Sequence, residues 1–486
     1  MAPAVAIALL TALSLWMRTG DLGAGYWIDE AIAVGVASHD LADIPVALRQ
    51  DGSPPLYYAL LHGWMQVAGA GEAATRTLSL AFAGLAVPVA WWAGRAAFDR
   101  RAGALAAAGA AFCPFLTYYG QETRMYSLVV VLSLLAGASF ALAFLRGRRG
   151  HVALLGVWLA LLLYTHTWGV FLAAGMGIAW LALWHEGRVT GRDGACLAAA
   201  LALVYAPWAP SALFQAAHTG APWSERPSLL YLLAVPGGLF GYVAAPLLAV
   251  AVLAALRRAR PPGEVVRALA LVAAATAGLA WLASQLEPAW SPRYAAVLFG
   301  PALLALAAVL ARGRGPAAAL ALAAVAGIWL LGPPPPAKSN ARAVAGSAAV
   351  GLRAGDVIVS TQPEQVPVLY RYLPAGVVYV TPLGIVPDPR ITDWREGMAR
   401  LRAGRAERVL EPLVDRLARG RRVLLVTPVA GRRRSQAPWS RTVRVRTREW
   451  RAALRADPRL REIGRVGRSA TPRSRSTVRA VIFEVG

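Results

Sequence analysis

The sequence predicts a polytopic α-helical membrane protein with a small C-terminal α/β domain. Three features predict it: a shortage of charge, a series of apolar runs of spanning length, and a change of pattern after residue 337. Hydrophobic residues fill 57% of the 486 positions and charged ones only 16%, with a mean hydropathy of +0.48. Soluble domains carry about 25% charged residues.

A spanning helix needs about 20 mostly apolar residues. Suitable runs fall near 2–17, 73–94, 102–118, 126–145, 152–165, 168–184, 194–210, 229–256, 267–284, 294–311 and 316–332, so about eleven spans are expected. The apolar start, Met1 to Trp16, has no basic leader and no small-x-small cleavage site. It reads as a retained first helix. The first and fifth runs are short for a span.

Orientation follows from the loops. One set carries Arg95, Arg100, Arg101, Arg146, Arg148, Arg149, Arg188, Arg192, Arg257, Arg258, Arg260, Arg267, Arg312 and Arg314. The alternate set carries only Arg18, Arg49, Arg76, Arg124, Arg226 and Arg293. The basic set is cytoplasmic by the positive-inside rule. The N-terminus is then inside and residues 338–486 are extracytoplasmic, as expected of a plasma-membrane protein.

Residues 1–337 hold 20 Lys+Arg and 14 Asp+Glu, whereas 338–486 hold 30 and 12. Most of the +24 net charge therefore lies in the last third, where it suits membrane lipids, lipid phosphates or acidic glycans. No nucleic-acid motif is present, and nucleic acid is not an expected partner. After the proline run Pro333–Pro336, Gly355–Ser360, Val377–Val380, Arg422–Thr427 and Val478–Val485 read as strands, with a helical stretch to Tyr372. Strands alternating with helices suggest an α/β domain. It carries no phosphate fingerprint or catalytic motif and reads as accessory. Cys113 and Cys196 lie in apolar runs and read as buried small hydrophobes.

The polar groups collect on the outer loops. Tyr26-Trp27-Ile28-Asp29-Glu30 places an acidic pair among apolar residues, where a carboxylate is partly desolvated and raised toward a useful base. Asp51-Gly52-Ser53-Pro54-Pro55-Leu56-Tyr57-Tyr58 is followed by His62, one turn on if Pro54 to Val67 is an interfacial helix. Tyr119-Gly120-Gln121-Glu122-Thr123-Arg124-Met125-Tyr126 leads into an apolar helix. There Glu122 and Arg124 either neutralise each other or leave Arg124 for a phosphate oxygen. Tyr164-Thr165-His166 closes another helix. Pro207-Trp208-Ala209-Pro210 begins a loop that also carries Trp223. Pro292-Arg293-Tyr294 offers either a snorkelling anchor or a second phosphate clamp.

These six motifs, in this order over about residues 10–310, resemble those of the GT-C membrane glycosyltransferases. The similarity is to the bacterial mannosyltransferase-like branch, related to protein O-mannosyltransferases and the lipid A aminoarabinose transferase. The resemblance implies a GT-C-like catalytic domain over 1–337, with its first outer loop at 18–72, and an accessory domain over 338–486. It implies transfer of a mannose-like sugar from a polyprenyl-phosphate donor to a hydroxyl on an envelope glycan, lipid or protein, on the outer face and with inversion. Asp29 maps to the catalytic base, with Glu30 beside it. Arg124 and Arg293 would stabilise the leaving phosphate. Asp51, Tyr57, His62, Glu122, Tyr126, His166, Trp208 and Tyr294 would shape the substrate site, with Trp208 and Trp223 on a lid or lipid groove. No cofactor is certain. Some relatives hold a divalent metal, but no tight ligand spacing supports one here. The rival reading is a transporter or flippase of lipid-linked glycans, which would place charges deep in several helices or show broken repeats.

Overall fold

The computed structural model describes residues 3–258, 263–313, 316–331, 338–429, 435–467 and 476–486. The loop residues Arg260 and Arg314 and the Pro333–Pro336 run lie outside the described residues, and so does the expected boundary at residue 337.

Over the described residues all eleven apolar runs are helical, but three are interrupted. The third splits into Arg100–Phe112 and Pro114–Tyr119, because Pro114 has no N–H to continue the ladder. The seventh bends by 76° between Gly191–Tyr205 and Ala209–His218, across the Pro207–Pro210 motif. The eighth divides into Leu229–Leu233, Val235–Phe240 and Ala244–Arg258, the last break at Gly241 with φ of 94°, a left-handed conformation that favours glycine. Among the described residues, four helices have the length and hydropathy to cross a membrane alone: Glu72–Ala97, Tyr126–Phe144, Glu264–Leu286 and Pro292–Arg312. The bent pair counts as a fifth, and five shorter apolar helices accompany them.

The Tyr126–Phe144 helix is the axis of the bundle, with every residue but Leu135 buried. It packs on Glu72–Ala97, Gly150–Thr165 and Phe299–Arg312. Small residues allow this, as membrane helices associate through close packing. At Gly300 an added Cβ would stand 2.2 Å from Ser133 O, and the Gly300 N–H donates to Ser133 Oγ at 3.0 Å. The Gly191–Tyr205 helix lies on the perimeter with no buried residue. Cys196 is therefore exposed, contrary to the expectation of burial, while Cys113 is buried.

The first outer loop forms three helices, Ile28–Ala37, Ile44–Asp51 and Leu56–Ala68. The last buries Tyr57, Tyr58 and Leu61 and exposes Val67, the amphipathic pattern expected of Pro54 to Val67.

Among the described residues, the C-terminal region contains six strands: β1 Val357–Ser360, β2 Val378–Thr381, β3 Gly384–Ile385, β4 Arg422–Pro428, β5 Leu460–Val466 and β6 Val478–Val485. Their order is β3-β2-β1-β4-β6-β5. β1 pairs parallel with β2 and β4, and the other pairs are antiparallel. Alternate residues face opposite sides of a strand. Val357 and Val359 accordingly join Leu410, Trp450 and Leu454 from the helices Ala406–Val414 and Pro438–Ala456. Ile358 joins the other core with Val344 and Leu369 from the helices Ala341–Ala348 and Val366–Tyr372.

That second core also contains Tyr26, Ala31 and Val34. The first outer loop is thus an added layer of the α/β domain, which docks on the bundle. The approach is close: a Cβ on Gly35 would stand 1.8 Å from Arg390 O. Polar ties reinforce it. His39 Nε2 meets Asp388 Oδ2 at 2.7 Å, and the Tyr26 N–H donates to Tyr372 Oη at 2.7 Å.

Candidate active site

Asp29 and Glu30 open the Ile28–Ala37 helix, where negative charge suits the helix dipole. Successive helical residues diverge by about 100°, so the two carboxylates face different surroundings. Glu30 turns into the protein and has no exposed surface. Arg76 Nε and Nη2 donate to its two oxygens at 2.7 and 2.6 Å, and the Thr123 N–H adds a third bond at 2.9 Å. Arg76 also donates to the carbonyls of Asp21, Leu22 and Ala24. Glu30 thereby anchors the first outer loop to the Glu72–Ala97 helix.

Asp29 turns the other way, into a cavity of about 550 Å³. Its Oδ2 stands 2.7 Å from Arg293 Nη1. Arg124, in the turn ahead of the Tyr126–Phe144 helix, donates from Nη1 to Asp29 O at 3.2 Å and to Tyr58 Oη at 3.4 Å. The Nε of Arg124 and of Arg293 are both buried without a hydrogen-bond partner. Two guanidinium groups with donors to spare, next to a carboxylate, have the chemistry to hold an anionic group such as phosphate.

The cavity lies at the end of the bundle opposite the turns that carry Arg100, Arg146 and Arg188. Of the residues expected from the sequence, Asp29, Asp51, Arg124, Tyr126, His166, Arg293 and Tyr294 line it. Tyr126, His166 and Tyr294 form one aromatic cluster, with His166 to Tyr294 ring centroids 4.8 Å apart. His166 Nδ1 accepts from the Trp168 N–H at 3.1 Å. Burial, with Arg124 and Arg293 nearby, pushes its imidazole down to about 3. It is neutral near pH 7, with Nε2–H left as the donor. Burial raises the Asp51 carboxyl, against the hydrogen bond from Ser53 and the charge of Arg124.

Glu30, Tyr57, His62, Glu122 and Trp208 do not line the cavity. Tyr57 Oη bonds Ser79 Oγ at 2.9 Å, and Ser79 Oγ donates to Arg124 O at 2.9 Å, so Tyr57 supports the arginine's backbone. His62 Nδ1 donates to Ala37 O at 3.0 Å, tying the Leu56–Ala68 helix to the end of the one carrying Asp29. Glu122 is fully buried, near Lys338, whose ammonium burial pushes down while Glu30 and Glu122 hold it up. Trp208 is buried at the 76° bend. The loop after that bend does border the cavity, through Gly220 and Trp223 among others.

Among the lining residues missed in the sequence are Gln215, Glu364 and Trp394. The last two come from the C-terminal domain. Glu364 follows β1, which lies between the parallel strands β2 and β4. Ligand crevices in open α/β sheets form outside the carboxyl ends of strands at such a switch point, a position that becomes visible only once the sheet order is known.

A divalent metal does not fit well here. Among the described residues no three His, Cys, Asp or Glu side chains gather as ligands. Asp29 already faces a guanidinium, and a second stands nearby.

Residues 52–210, less than half of the chain, match the family model described as dolichyl-phosphate-mannose-protein mannosyltransferase. ArnT from Cupriavidus metallidurans in the apo state is similar in structure with a TM-score of 0.65 at 14% identity, covering 100% of this chain and 99% of that one. The same protein bound to undecaprenyl phosphate gives 0.62 at 13% identity, with coverage of 100% and 99%. The arabinofuranosyltransferase AftD from mycobacteria gives 0.55 at 17% identity, covering 100% of this chain and 40% of that one. A comparison with curated proteins by sequence finds no match. The fold is that of the GT-C membrane glycosyltransferases. The motif resemblance over residues 10–310 thus extends, at the level of fold, to the whole chain.

Proposed function

We propose that the protein is an inverting glycosyltransferase that moves a mannose-like sugar from a polyprenyl-phosphate donor to a hydroxyl on an envelope glycan, lipid or protein. The observation that carries this reading is the Asp29–Arg293 pair at 2.7 Å, in a cavity where both Arg124 and Arg293 keep a buried, unpartnered Nε–H. The undecaprenyl phosphate bound by the similar ArnT has the headgroup chemistry that such a pocket takes.

In the reaction the acceptor oxygen bonds to the anomeric carbon and gives its proton to Asp29. The carbon–oxygen bond to phosphate breaks, and its electron pair leaves on the phosphate, releasing polyprenyl phosphate. Arg124 and Arg293 offset the charge that develops there. Donor phosphate competes with Asp29 for Arg293, so donor binding frees the carboxylate to act as base. His166, neutral, donates a hydrogen bond, and Tyr126 and Tyr294 pack against it.

The charge bias of the loops supports a cavity on the outer face of the plasma membrane, with the N-terminus cytoplasmic and residues 338–486 outside. Residues 1–337 form the catalytic bundle in this reading. Incubating the purified protein with a panel of labelled polyprenyl-phosphate sugars, with and without envelope acceptors, tests it. Sugar transfer with release of polyprenyl phosphate is expected. Passage of intact donor across vesicles without cleavage would indicate a transporter instead.

A further inference from the structure

We infer that the C-terminal domain completes the cavity with a saccharide-binding subsite made by Glu364, Trp394 and Trp223, with Gln215 as a further hydroxyl acceptor. The inference rests on the proposed transferase reading and extends it to a wall outside the membrane bundle. Sugars are recognised by aromatic faces, against which their C–H surfaces pack, and by carboxylate and amide oxygens that accept from hydroxyls. This wall offers both.

Trp223 and Trp394 have ring centroids 4.5 Å apart, and Trp394 and Trp439 4.9 Å. The first two border the cavity and Trp439 stands behind them. Glu364 is buried, and Trp439 Nε1 donates to its Oε1 and Oε2 at 3.0 and 3.1 Å. Gln362 Nε2 adds a bond to Oε1 at 2.8 Å. Oε2 accepts from Trp439 alone, so it keeps hydrogen-bonding capacity for a ligand hydroxyl. The Trp439 and Gln362 bonds fix the carboxylate, which preorganises it for a ligand.

Gln215 is oriented in the same way. Its Nε2 donates to Leu48 O at 2.8 Å and Ser53 O at 3.1 Å. Its Oε1 is left buried without a partner in a residue 4% exposed that lines the cavity. Leaving a buried acceptor unpaired is costly, and a ligand hydroxyl would satisfy it. The location of Glu364 at the carboxyl end of β1 is a fold-level reason to expect a ligand there.

A sugar ring at this wall can belong to the donor or to a glycan acceptor. The test uses the full-length protein in nanodiscs, with methyl glycosides of mannose, galactose and arabinose as probes in saturation-transfer NMR. At least one glycoside is expected to show transfer, falling at least threefold in Glu364→Gln and fivefold in Trp394→Ala. Trp394→Phe keeps the ring and the packing, and is expected to retain most of the signal. Undecaprenyl phosphate binding is measured on the same samples. If it persists in every variant while no glycoside binds, or glycoside signals do not change, the subsite is overturned and the transferase reading stands. If undecaprenyl phosphate itself does not bind, the transferase reading fails instead. In turnover assays, a higher KM for acceptor alone in Glu364→Gln assigns the ring to the acceptor. A higher KM for donor assigns it to the donor.

Discussion

Arg76 grips both carboxylate oxygens of Glu30, at 2.7 and 2.6 Å, and neither side chain is exposed. The pair joins the helix that carries Asp29 to the first long helix of the bundle. Breaking one side of a buried pair strands the other charge and costs about 3–5 kcal/mol. Glu30→Gln and Arg76→Ala are therefore expected to lower the unfolding temperature markedly in detergent. An unchanged melting curve would show that the pair does not support the fold.

His166 links stability to pH. Its folded value of about 3 lies below the ordinary histidine value near 6.5, so below that pH the unfolded chain binds a proton that the folded chain refuses. The stability from neutral His166 is present above about pH 6.5 and is lost as pH falls toward 3, at up to about 1.4 kcal/mol per unit. Melting temperatures of wild type and His166→Gln are expected to converge as pH drops from 7.5 to 4.5. Parallel curves would contradict this.

Arg124 and Arg293 are expected to hold the phosphate. Hydrogen bonds to charged groups contribute about 1.5–3 kcal/mol. Either Arg→Ala variant should thus weaken undecaprenyl phosphate binding about tenfold or more, and Arg→Lys less, because lysine lacks the planar fork. Titration of the lipid phosphate against nanodisc-held protein measures this.

Glu225 holds the loop that borders the cavity against the C-terminal domain. Its Oε1 accepts from Ser435 Oγ at 2.8 Å and from the Gln436 and Ala437 N–H groups at 2.7 and 3.2 Å. Glu225→Ala is expected to speed chymotryptic cleavage after Trp223 severalfold. Unchanged cleavage would mean that the loop is held by other contacts.

The sequence disclosed the bundle because spanning helices need length and hydropathy, and both are local. It also indicated the strands of the α/β domain with apolar runs, β1, β2, β4 and β6. β5 escaped because Leu460–Val466 alternates charge with apolar residues on an exposed edge, and β3 because it has only two residues. Motif order brought Asp29, Arg124, His166 and Arg293 into view, and all four line one cavity. What sequence could not supply was direction: Asp29 and Glu30 are neighbours, yet only Asp29 faces the cavity. Nor could it supply partners from 300 residues away. Glu364 and Trp394 look unremarked in their own segment and gain their setting only when the domain docks over the first outer loop.

The most direct test of the central claim is sugar transfer by Asp29→Asn. The variant keeps the side-chain size but cannot accept the acceptor's proton. Loss of a general base lowers turnover by about 10²- to 10⁴-fold. A fall of that size is expected, with membrane insertion and undecaprenyl phosphate binding preserved. Wild-type transfer by Asp29→Asn would contradict the assignment of this carboxylate as the base.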